Sequence, residues 1–269
     1  MKPVDFDYYR PATLADAVST LEPYARRTDV KIIAGGQTLG PLLNLRLVRP
    51  GLLLDISRLP ELQRIDEERD AVNIGACVTH AAIEDGRLRD VTNGLLPRVA
   101  AGIAYRAVRN RGTIGGSLVH ADPAADWLAA LIALEAQVRL VAHDTERTVP
   151  LRTFVTGALA TELRSQEILA SIRIRRLAPT VRWGFHKICR KTGEFADAIG
   201  VVIDNGAAGL VAVAGATGGA PIRLQFAEGS SPGIDWRERL AAAGYTGDAY
   251  DMQVHAIALQ RAHQEAQQR

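Results

Sequence analysis

An apolar run that ends on two adjacent glycines, KIIAGGQTLG at residues 31–40, constrains this chain more than any other feature. A strand that closes on Gly35 and Gly36 gives up side-chain packing there. It gains φ angles that other residues avoid, and backbone that another group can approach without meeting a Cβ. The design returns at residues 113–117, where Thr113, Ile114, Gly115, Gly116 and Ser117 again set paired glycines between an apolar residue and a small hydroxyl. A diphosphate needs several backbone N–H groups pointing at one place, and such loops supply them. Gln37 and Thr38 add side-chain donors, and a helix from Leu39 onward would aim the positive end of its dipole at the anion. After the second loop a helix is expected, with Asp122 and Asp126 around its first turns. A tight left-handed turn without a ligand is the other reading of either loop alone, but two of them in one region argue against coincidence. Neither follows the GxxxxGK[ST] or GxGxxG phosphate-binding patterns. A third cluster, GATGG at 215–219, lies between expected strands and reads as a hairpin turn.

Hydrophobic periodicity places these loops in a framework. Residues 13–25 predict an amphipathic helix with Thr13 as N-cap. Residues 30–33 predict a buried strand, 39–48 a short apolar helix and 51–57 a second strand, which makes a small β-α-β beginning. A strand is expected over 71–79, a helix over 95–108, a helix running into a strand over 125–141, and an alternating strand over 168–176. Proline follows at 179, so a domain boundary is placed near 177. Beyond it the pattern predicts an antiparallel meander and a closing helix over 251–269. The expected class is α+β in two parts, residues 1–176 and 177–269.

Composition narrows the function. The 269 residues are 47% hydrophobic, enough for a sizeable core. A formal charge of +2 gives no reason to expect a nucleic-acid partner. No apolar stretch approaches the roughly eighteen residues of a membrane span, and no leader is evident, so a cytoplasmic location is the expectation. Cys77 and Cys189 are the only cysteines and match no metal-ligand spacing. An iron–sulfur cluster takes about four thiolates, so this chain is not expected to hold one. The scattered histidines form neither an HExxH pair nor a defensible Ser/His/Asp set.

Two segments, KIIAGGQTLGPLLNLRLVRPGLLLDIS and AVRNRGTIGGSLVHADPAADW, resemble the two flavin-binding signatures of the FAD subunit of molybdenum hydroxylases. This is the family of xanthine dehydrogenase, bacterial carbon monoxide dehydrogenase and the quinoline and nicotine-pathway oxidoreductases. FDYYRPATLADAV, EILASIRI and KICRKTGEFADA resemble it too, in the family's order, so the likeness runs from about residue 3 to 215. The resemblance implies a two-lobed FAD-binding domain of the PCMH type followed by a small α/β C-terminal domain, shortened here between residues 220 and 250. It implies that Ile32, Ile33, Ala34, Gly35, Gly36, Gln37, Thr38 and Leu39 wrap the FAD pyrophosphate and that Thr113 through Ser117 clasp it from the other side. Ile103 would lie against the flavin, although an apolar helix residue would face the core in any case. Asp126 would stand near the ribityl and ring portion, Leu169 would line the ring site, and Lys187 would stabilise the reduced ring. Phe195 stands where relatives often have tyrosine over the isoalloxazine. His120, Arg109 and Arg111 are read as loop-stabilising or subunit-facing.

The function that follows is electron transfer. A molybdopterin-binding large subunit would oxidise the substrate, a separate 2Fe-2S subunit would relay electrons, and FAD in this chain would pass them to an external acceptor. The assembly expected is a dimer of heterotrimers. The competing reading is a self-sufficient FAD-dependent oxidase or dehydrogenase of the same fold; a scaffold that has lost FAD is a third.

Overall fold

The computed structural model describes residues 2–24, 29–227 and 233–269. Ala25, at the end of the first expected helix, and residues 228–232, within the stretch expected to be shortened, lie outside the described residues. The chain builds three main sheets. The first is a three-stranded parallel sheet in which Leu52–Asp55 is flanked by Asp7–Tyr9 and Val30–Ile33. The short helix Leu39–Asn44 joins its second and third strands, as a parallel pair requires a crossover. Helix Leu14–Leu21 begins at Thr13, whose side chain accepts from the Asp16 N–H, and buries Ala17, Val18 and Leu21.

The second sheet has five antiparallel strands with Ile168–Arg175 at its centre, between Ala71–Gly75 and Gln137–Val141. The third is a four-stranded antiparallel meander, Arg182–Ile188, Ala198–Asp204, Leu210–Gly215 and Ile222–Phe226. GATGG makes the turn between its last two strands. The fold is therefore α+β, as the sequence predicts, and its strands beyond residue 176 pair only with one another among the described residues.

Alternation along the meander divides its side chains between two cores. Ile199, Val201, Ile203 and Val213 join a core that also takes in the wholly buried helix Asp126–Ala133 and one face of the five-stranded sheet. Val202, Ala212 and Ala214 face the other way, onto Trp236, Leu240 and the long helix Ala249–Gln268. That helix lies so close to the sheet that a Cβ on Gly200 would be 2.3 Å from the Ala258 carbonyl oxygen.

The structure shortens several expected elements. The helix from Leu39 stops at Asn44, and the chain turns away with Arg46 at φ 59°. The helix expected over 95–108 is two pieces, Leu95–Ala101 and Arg106–Arg109, because Ala104 adopts φ 42° and the carbonyls on the break are taken by side chains.

Gly200→Ala should destabilise the protein by about 1–3 kcal/mol, the usual cost of overpacking, through displacement of the terminal helix. Urea unfolding compared with an Ala variant at the open Gly219 would check it; equal stability would mean that the helix yields freely.

Candidate functional site

The first glycine loop follows directly from the strand Val30–Ile33 at the C-terminal end of the parallel sheet. Gly36 has φ +70°, a conformation costly for other residues. Gly35 meets a different requirement, since a Cβ there would lie 2.1 Å from the Arg111 carbonyl oxygen, on the approach to the second loop. The two loops are thus packed backbone against backbone. Among the described residues, the N–H groups of Gly35, Gly36, Gln37 and Thr38 find no acceptor within the chain, and the Thr38 hydroxyl makes no capping bond. The Gln37 amide donates to the Gly35 carbonyl at 3.1 Å, which folds it over its own loop and leaves its second N–H available.

The second loop corrects an expectation. Gly115, Gly116 and Ser117 do not precede a helix but form its first turn, Ile114–His120, and Thr113 is its N-cap. Their backbone donors are committed: Ile114 N–H to Val78, Gly115 N–H to Ala76, Gly116 N–H to the Thr113 hydroxyl and Ser117 N–H to the Thr113 carbonyl. What this segment offers a ligand is a close surface and the Ser117 hydroxyl rather than a row of free amides. Asp126 starts a separate helix.

From the second loop a line of contacts leads inward. His80, buried, donates its backbone N–H to the Gly112 carbonyl at 2.9 Å, and its ring Nδ1 accepts from the Trp127 indole at 3.0 Å. Burial, with the nearby Arg109 charge, lowers the His80 pKa to about 4, so the ring is neutral at physiological pH. Next to Trp127 is Asp126, whose carboxylate accepts from the Lys187 ammonium at 3.1 Å; the side chains are 7% and 10% exposed. Lys187 also donates to the Gly102 carbonyl at 3.4 Å, beside Ile103. The other Asp126 oxygen, Oδ1, is buried with no hydrogen-bond partner among the described residues. Desolvation raises the Asp126 pKa to about 6 even though the Lys187 charge opposes it.

The remaining residues fall along the same line. Ile103 packs at the edge of the main core, and the loop bearing Phe195 rests on its neighbour, with Gly193 close against the Ala104 carbonyl. Phe195 itself is 72% exposed, and so is free to stack on something outside the chain. Leu169 is buried, and the neighbouring Ala170 carbonyl accepts from Ala76, the residue against which Gly115 packs. Arg109 bridges Glu84 and the carbonyls of Ile103 and Ala104, at the break between the two short helices. The sequence reading missed His80 and Trp127. Both carry the signature of core residues, and only their mutual hydrogen bond marks them as supports of the site.

Fold and site together define a class: an α+β protein in which a chain of contacts joins a glycine-rich, amide-lined loop to a buried lysine–aspartate pair. The family model described as the FAD binding domain in molybdopterin dehydrogenase matches residues 4–176, and the chain belongs to that family of FAD-binding medium subunits of molybdenum hydroxylases. It is similar to caffeine dehydrogenase subunit beta of Pseudomonas sp. strain CBB1, 38% identical over 73% of this chain and 66% of that protein. The nicotine 6-hydroxylase medium subunit of Paenarthrobacter nicotinovorans is 33% identical over 93% of this chain and 90% of its own length. Among solved structures, carbon monoxide dehydrogenase from Hydrogenophaga pseudoflava superposes with a TM-score of 0.89 at 30% identity, over 100% of this chain and 99% of that one. Quinoline 2-oxidoreductase from Pseudomonas putida 86 gives 0.84 at 29% identity, over 100% and 99%.

Two outcomes test the buried pair. Lys187→Met leaves a desolvated carboxylate alone and should cost about 3–5 kcal/mol at neutral pH, less near pH 5, where Asp126 takes up a proton. Restoration of stability by adding Asp126→Asn would confirm the coupling. Because the Asp126 pKa is raised from its ordinary 3.8 to about 6, its contribution is complete below the ordinary value and is lost as pH rises through about 6. Asp126→Asn should remove that loss; equal pH slopes for both proteins in denaturant titrations would refute it.

Proposed function

We propose that this chain is the FAD-binding electron-transfer subunit of a molybdenum-containing hydroxylase or dehydrogenase complex, taking electrons from a separate 2Fe-2S subunit and passing them to an external acceptor. The single observation that carries this reading is the run of uncommitted amides from Gly35 to Thr38, held in place by the second loop. Neutralising a diphosphate is what such a run does best. The residues present fit FAD, because a cradle of uncommitted amides, a buried cation and an exposed aromatic ring occur along one line of contacts.

In this reading Ile32 through Leu39 hold the diphosphate, the amides of Gly35 to Thr38 donate to it, and Thr113 through Ser117 close the opposite side with the Ser117 hydroxyl. Bound FAD supplies the capacity to take up and release electrons singly or in pairs. Lys187, desolvated and fixed by Asp126, places a positive charge where reduction adds a negative one. Ile103 and Leu169 exclude water from the ring, and Phe195 covers it.

The fold is read as a two-lobed FAD-binding domain of the PCMH type over residues 1–176, followed by a small α/β C-terminal domain over 177–269. The boundary separates sheets, not cores. The partners are an iron–sulfur subunit and a molybdopterin-binding large subunit in a cytoplasmic dimer of heterotrimers. Among the described residues no helix is long and apolar enough to cross a membrane.

The purified complex should carry about one FAD per copy of this chain. Gly36→Val should abolish its retention, since the branched side chain forces the backbone out of positive φ. Flavin absorbance at the wild-type level in that variant would detach the loop from the cofactor. Mixed anaerobically with organic substrates in the absence of partners, the flavin-loaded chain should stay oxidised, whereas bleaching would make it a self-sufficient dehydrogenase.

A further inference from the structure

A second concave site lies at the far end of the helix Asp126–Ala133 from Asp126, where the five-stranded sheet meets the outer strand of the meander. It is a cleft of about 260 Å³ lined by four arginines from three elements: Arg152, Arg173, Arg175 and Arg223. Arg173 and Arg175 alternate onto the same face of the central strand, away from the core that holds Ile172 and Ile174. Arg223 comes from the meander.

The charges do not balance. Among the described residues Glu135 is the one carboxylate in the lining, and it pairs with Arg223 at 2.6 Å. Arg173 is drawn by Glu68 at 2.6 Å and Asp70 at 3.7 Å. Arg152 and Arg175 have no ion pair among the described residues. Arg223 also donates to Gln225 at 3.0 Å, but its Nε–H is buried and finds no acceptor among the described residues. An orphaned buried donor is destabilising, and an oxyanion in the cleft would relieve it. No lysine lines it among the described residues. Planar guanidinium forks match the paired oxygens of phosphate, and a multiply charged anion gains most from several of them.

We propose that this cleft binds a multiply charged oxyanion of the phosphate class, inorganic or esterified, independently of the flavin site. Equilibrium dialysis of the FAD-loaded complex against radiolabelled phosphate and pyrophosphate, with unlabelled phenyl phosphate as competitor, tests it. Saturable binding is expected, with displacement by phenyl phosphate marking an esterified ligand and lack of displacement marking a free one. Arg152→Gln with Arg175→Gln, both at exposed positions, should weaken binding about tenfold or more, equivalent to about 1.4 kcal/mol, without loss of FAD. Glu135→Gln should tighten it, which a purely structural role for these residues would not produce. Absence of saturable binding overturns the proposal and leaves the cleft to an acidic segment of a partner subunit. Binding that survives the double arginine change overturns it as well, by placing the anion elsewhere.

Discussion

The close approach of the first glycine loop to the Arg111 carbonyl is the constraint on which the candidate site depends. It requires the parallel sheet, which carries Gly35, and the segment leading into helix Ile114–His120 to meet without a side chain between them. The segment is held from its other side by His80, which receives the Trp127 indole, and Trp127 neighbours Asp126. A displacement at the loop contact would therefore be passed through backbone and ring atoms to the lysine–aspartate pair. The parts of the site are separated widely in sequence, yet close-packed groups join them.

That arrangement divides the work between the loops in a way the sequence alone obscures. Both motifs read as cradles because both pair glycines with small hydroxyls. Once folded, one has its amides free and the other has spent them on capping its own helix and on bonds to Ala76 and Val78. The second loop works as a wall. Its glycines admit neighbouring backbone, and Gly115 against Ala76 shows which neighbour.

Much was legible in advance for identifiable reasons. Strand Val30–Ile33, the Thr13 cap and the meander are local patterns, set by alternation and by a side chain that bonds its own backbone. The break at Ala104 was hidden because helical periodicity continues across it, while Lys187 and Arg109 claim the carbonyls that the break releases. Asp126 and Lys187 each stood out by resemblance, but nothing in sixty intervening positions announces that they bind each other. Pairing of that kind is decided by tertiary packing, and so is the burial that raises the Asp126 pKa against the pull of Lys187.

The core that runs from Val72 to Val213 without interruption bears on how the chain comes off the ribosome. Helix Asp126–Ala133 is apolar nearly throughout, and the meander that covers it is synthesised later. The meander's opposite face then waits for the terminal helix Ala249–Gln268. A nascent chain halted near residue 176 would leave the side of this helix that carries Ala129 uncovered, a surface of the sort that chaperones retain. Both cores are therefore complete only once the meander and the terminal helix are in place.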